Sequence, residues 1–170
     1  MWVRFPPEVL FMPLNKKDTV IDIVWFKKDL RTLDNKSLEF ASNSGNPTLF
    51  IYIIEPSVSD SPDYDNRHSR FIYESLIDVE NRFRKFSLNL NFINCEALEF
   101  FEEISKKYNI NNVLSYQEIG NNLTYSRDKK IAKFFHSNNI NWIQNKTNGI
   151  IRGLKSRKNW KKKWMHVNKK

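Results

Sequence analysis

An apolar run from Val20 to Phe26 breaks at once into Lys27-Lys28-Asp29-Leu30-Arg31, and that junction constrains the fold more than any other stretch of the chain. A short run rich in Val, Ile, Trp and Phe reads as a buried strand, and the charges that follow belong where it emerges from the edge of a sheet. Four further runs have the same character: residues 48–54, 88–93, 112–116 and 140–143. Between them lie helical segments. Asp34-Asn35 can cap a short helix that ends before Gly45. Phe71, Ile72, Leu76, Val79, Phe83 and Phe86 recur at three- and four-residue steps over 67–86. Helices are also expected over 97–108 and 123–136. Strands alternating with helices imply parallel strands joined by right-handed crossovers. The expected fold is α/β, a Rossmann-like three-layer sandwich around a five-stranded, mostly parallel sheet.

A chain of 170 residues can bury one core and is expected to form one domain. No run approaches the roughly 18 apolar residues that span a bilayer, so no membrane partner is expected. Cys95 is the only cysteine; an internal disulfide is excluded, and a cytoplasmic location fits. The net charge of +9 belongs to the tail, because 9 of the 28 Lys and Arg lie in 152–170 with no acid, leaving 19 cations against 19 acids before it. Residues 1–19 read as an extension outside the domain. Trp2-Val3-Arg4-Phe5-Pro6 matches a translation of the T-arm consensus of a transfer RNA gene, an expectation that places the natural start at Met12 or later.

Ligands of open α/β sheets bind beyond the carboxyl ends of the strands, where the strand order reverses. Lys27, Lys28 and Arg31 follow the first strand and could hold an anionic or phosphate-bearing ligand, or could pair with Asp29 and Asp34 in solvent. The four glycines, at 45, 120, 149 and 153, form neither Gly-x-Gly-x-x-Gly nor a P-loop. The three histidines and one cysteine have no zinc-site spacing. His68 lies near Asp63, Asp65 and Ser69, where capping of a helix is the ordinary explanation rather than a catalytic triad.

Trp25-Phe26-Lys27-Lys28-Asp29-Leu30-Arg31, with Asp34-Asn35 just beyond, resembles the opening signature of the photolyase/cryptochrome family. Tyr52-Ile53-Ile54-Glu55-Pro56 is similar to that family's second strand and its exit, and Arg70-Phe71-Ile72-Tyr73-Glu74-Ser75-Leu76 to the helix after it. Glu118-Ile119-Gly120 and Thr124-Tyr125-Ser126-Arg127-Asp128 resemble the segment after the fourth strand. Residues 148–157, ending Trp160-Lys161-Lys162-Lys163-Trp164, resemble the exit from the domain in one bacterial branch.

The resemblance implies an N-terminal antenna domain over 20–151. Residues 152–170 would then be a basic linker toward an FAD-binding helical domain, in the same or a separate chain. In the family the α/β unit can bind a folate, deazaflavin or flavin antenna, although some branches leave the pocket empty or fill it with side chains. FAD, the photolyase (lyase) chemistry of DNA repair and the contact with DNA belong to the helical domain, so the resemblance implies no catalytic residue here and leaves activity of the chain itself open. By position, it places Phe26, Lys28, Arg31, Glu55, Tyr116, Gln117, Glu118 and Arg127 at the antenna pocket, with loop hydrogen bonding or an Arg127–Glu118 pair as the simpler role for each. Two other readings stay open, a stand-alone nucleotide-binding α/β module and a small basic nucleic-acid-binding protein. For the latter, Trp160 and Trp164, four apart and interleaved with lysines, would share one helical face.

Overall fold

A computed structural model of the chain describes residues 19–146 and 156–167. The expectations for residues 1–18, 147–155 and 168–170 lie outside these. The elements run β1 (Val20–Phe26), α1 (Lys36–Ser44), β2 (Thr48–Ile54), α2 (Pro56–Ser59), α3 (Asn66–Arg84), β3 (Leu90–Asn94), α4 (Ala97–Lys107), β4 (Asn109–Tyr116), α5 (Asn122–Ser137), β5 (Asn141–Asn145) and α6 (Trp160–Val167). The strands form one sheet in the order β3-β2-β1-β4-β5. Every pairing is parallel, so the expected "mostly parallel" sheet is parallel throughout.

β1 lies at the centre and is buried on both faces, as its largely apolar run predicted, Asp22 being the polar exception. Ile21, Ile23 and Trp25 point to a core shared with Phe101 and Ile104 of α4 and Ile131 and Phe135 of α5. Val24 and Phe26 point to the other, shared with Ala41 of α1 and Leu76, Val79 and Phe83 of α3. That two-residue alternation converts one strand into the partition between two helix layers.

Local chemistry sets the element ends. Asn35 accepts from the N–H groups of Ser37 and Leu38, and α1 stops at Gly45, whose φ of 72° is left-handed. Asp65 and His68 form a reciprocal capping box at the start of α3, so the His68 cluster is a helix cap. Phe71 and Phe86, which share the three- and four-residue recurrence of this helix, are 70% and 75% exposed. Phe71 lies off the face carried by Leu76, Val79 and Phe83, and Phe86 falls after the helix has ended at Arg84. The short α2 was not expected, since four residues starting with proline carry no apolar periodicity.

Between Ile21 and Asp22 the β1–β4 register shifts, which leaves Asn111 unpaired with β1. The fully buried Asp22 carboxylate fills the gap, accepting from the Asn112 backbone N–H at 3.1 Å and the Asn112 side-chain amide at 2.8 Å. This polar ladder lies at the amino end of the sheet, opposite the edge at which Lys27 and Lys28 leave β1.

Candidate functional site

The strand order reverses beside β1, because the chain moves from β1 outward to β2 and β3 and then returns to β4 on the other side. Such a switch point opens a crevice between the loops that leave β1 and β4. Here the crevice is a cavity of about 60 Å³ lined by Lys27 to Asp29 and Tyr116 to Ile119. The sequence placed its candidates at the same edge.

A buried ion network takes in Lys27, Lys28 and Glu118 of the cavity lining and extends from them to Glu55, Arg127 and Asp128. Lys27, at the exit of β1, reaches Asp128 of α5, with Nζ 3.0 and 3.2 Å from the two carboxylate oxygens. Arg127 donates to Glu55 at the exit of β2 and to Asp128 at 2.8 Å, and lies 3.5 Å from Glu118. Lys28 Nζ is 3.2 Å from Glu118 Oε1, near enough for an ion pair but outside hydrogen-bond geometry, so that buried oxygen has no hydrogen-bond partner. Asp29 Oδ1 accepts from the Lys27 backbone N–H at 3.0 Å, whereas its buried Oδ2 has no partner.

These groups titrate abnormally because water is scarce around them. Burial lowers the Lys27 pKa from 10.5 to about 8, with Asp128 recovering part of the loss. Burial likewise raises the carboxyl groups of Asp29 and Glu55, Arg127 offsetting part of the effect at Glu55. For Glu118 burial acts in the same sense, but the Lys28 and Arg127 charges outweigh it and hold the group below its ordinary value. Arg127 is raised for the matching reason, since Glu55 and Asp128 outweigh its desolvation.

An aromatic wall stands behind the charges. Lys27 Nζ lies 4.2 Å from the Trp25 ring centre and 5.0 Å from that of Trp142, and the Arg127 guanidinium lies 5.1 Å from Trp25. Trp25 and Trp142 stack with centroids 6.2 Å apart. Ion pairing and cation–π contact therefore hold the same two cations.

Of the eight sequence candidates, the structure brings Lys28, Glu55, Glu118 and Arg127 into this network. Gln117 lines the cavity and its backbone N–H donates to Asn145. The Tyr116 hydroxyl accepts from the Lys36 N–H at 3.0 Å, tying β4 to the start of α1, and Arg31 packs over the Tyr116 ring at 5.5 Å. Phe26 is directed away, into the core against Phe83. Sequence reasoning did not choose Asp128, although the Arg-Asp pair stands in one of the motifs. Its partner Lys27 is 101 positions away, and no spacing rule reports such a contact.

Three cations, Lys27, Lys28 and Arg127, face Glu55, Glu118 and Asp128, with Asp29 as a further acid. No positive charge of this network is left over for a phosphate, which counts against the nucleotide-module reading. Among the described residues no group of side chains could hold a metal ion, and no helix is long and apolar enough to cross a membrane.

The DNA photolyase family profile matches residues 22–167. The chain belongs to the DNA photolyase family. Among curated relatives of this photolyase-family chain, the chloroplastic/mitochondrial cryptochrome DASH of Solanum lycopersicum is 26% identical over 141 residues, covering 79% of this chain and 24% of the relative. Cryptochrome-2 of Gallus gallus is 27% identical over 109 residues, 64% of this chain and 19% of the relative. Among solved structures, an archaeal photolyase from Sulfolobus tokodaii superposes with a TM-score of 0.70 at 22% identity, over 88% of this chain and 35% of that one. A class III photolyase from Agrobacterium tumefaciens also gives 0.70, at 18% identity, over 89% and 30%. At these identities the superpositions show the shared fold. The chain spans about a fifth to a third of the length of these relatives.

Proposed function

We propose that this chain supplies the N-terminal α/β domain of a photolyase/cryptochrome-type flavoprotein and works with an FAD-binding helical domain in light-dependent DNA repair or blue-light signalling. The observation that carries the reading is the family match across 22–167. The network supports it, because the ends of β1, β2 and β4 and the second turn of α5 are tied into one rigid edge. FAD, when bound by the helical partner, supplies the photochemistry. This chain's residues supply the folded unit against which that partner works.

The archaeal photolyase from Sulfolobus tokodaii holds two FAD molecules, with the implication of a novel light-harvesting cofactor. In this family an antenna chromophore of folate, deazaflavin or flavin type would use the switch-point crevice. The residues present do not fit one: ligand pockets run to roughly 300–1,000 Å³, against about 60 Å³ here.

The test is complementation. The chain alone should not repair a thymine-dimer oligonucleotide in light, and adding the FAD-loaded helical domain that accompanies it should restore light-dependent repair or flavin photoreduction. A helical domain whose photochemistry and stability are indifferent to this chain would defeat the proposal.

A further inference from the structure

We infer that the switch-point crevice of this chain is plugged by its own side chains and takes no antenna chromophore. The inference rests on the family reading above, which makes a chromophore expected there. Its first support is space. A cavity of about 60 Å³ has room for about five waters at most, and a fused-ring chromophore would have to displace the side chains that surround it.

The second support is that Lys27 and Glu118 of the lining belong to a buried network whose members are committed to one another. Glu55, Glu118 and Asp128 each have a side chain no more than 7% exposed, and Arg127 gathers all three. Moving Arg127 aside for a ligand would leave three buried carboxylates short of a counter-charge. The Trp25 and Trp142 faces, on which a planar chromophore could stack, are already covered by Lys27 and Arg127. Each cation of the network already faces a carboxylate, which leaves none unpaired for a flavin phosphate or a folate glutamate.

Gly120 shows how tightly the plug is closed. A Cβ at this position would sit 2.5 Å from Thr124 Oγ1, 2.7 Å from Glu118 Oε1 and 3.1 Å from Lys28 Nζ. The loop after β4 therefore approaches the Lys28–Glu118 pair as closely as a residue without a side chain permits. Lys28 is the one member of the network that is mainly solvent-exposed, its side chain 69% accessible. It caps the plug from outside.

The experiment is equilibrium dialysis of the full chain against flavin mononucleotide, FAD and methenyltetrahydrofolate, with tryptophan fluorescence recorded in parallel. A ring seated beside Trp25 and Trp142 would quench their emission. The expected result is no saturable binding with Kd tighter than about 1 mM and no quenching. Micromolar binding that quenches the tryptophans and is lost in Gly120→Trp would overturn the inference. Binding indifferent to Gly120→Trp would place the ligand elsewhere and uphold it. Should Gly120→Trp fail to fold, a crystal structure of the wild-type chain grown with flavin mononucleotide decides by density between Asp29 and Glu118. A chromophore found there defeats the plug and leaves the proposed function standing, whereas failure of complementation defeats the function and leaves the plug.

Discussion

Two clusters in this chain combine cations with tryptophans, and they are built to opposite ends. In the crevice, Lys27 and Arg127 lie over Trp25 and Trp142 with carboxylates at every charge. On α6, Trp160 and Trp164 stack with centroids 6.1 Å apart, each more than 40% exposed, between exposed lysines and with no acid in the tail. The residue types are the same, and the carboxylates make the difference. Where they are present the cations are internal glue. Where they are absent Lys161 and Lys162 lie exposed on α6, and residues 152–170 carry the chain's whole net charge of +9.

The comparison breaks most readily at Arg127. Arg127→Ala leaves three buried carboxylates without their shared partner, and the expected loss is about 3–5 kcal/mol, read from urea unfolding. A loss below about 1 kcal/mol would mean the network behaves as a surface cluster.

The next largest effect depends on pH. The folded Lys27 releases its proton near pH 8 and the unfolded one near 10.5, so the unfolded state binds more protons between those values. Stability should therefore rise with pH across that window relative to Lys27→Met, by up to about 3 kcal/mol. Equal slopes in the two proteins would show that Lys27 is not desolvated.

Gly120→Ala should cost about 1–3 kcal/mol by overpacking against Thr124 and the Lys28–Glu118 pair, seen as a lower thermal midpoint. An unchanged midpoint would mean that the loop yields. The smallest effect on stability belongs to the other cluster. Lys161→Glu with Lys162→Glu should leave the unfolding midpoint where it is while weakening retention on heparin and flattening its salt dependence. A lowered midpoint would instead show that α6 is part of the fold.

Much of the fold was legible because it rests on local pattern. β1 and β2 have the bounds that their apolar runs predicted, and Asn35 and Gly45 bracket α1 as their chemistry requires. The later strands drifted by a few residues. β5, for example, is half polar and runs to Asn145 on backbone pairing with β4 alone. Phe71 and Phe86 stay exposed because the first lies off the face of α3 that carries Leu76, Val79 and Phe83, and the second lies beyond the helix end.

At the site the division is sharper. The sequence by itself determined the edge: the charges after β1 and the acid after β4 sit at boundaries that local composition marks, and the Arg-Asp pair lies in the second turn of α5. The Arg127–Glu118 pair that the sequence offered is present at 3.5 Å, whereas tertiary structure alone joined Lys27 to Asp128, Arg127 to Glu55 and Lys28 to Glu118 and directed Phe26 into the core. Whether a charge is an open hand for a ligand or one half of a buried pair depends on which loops the parallel crossovers bring to the same end of the sheet. That is a property of the folded topology, because contacts between residues a hundred positions apart leave no period in the chain.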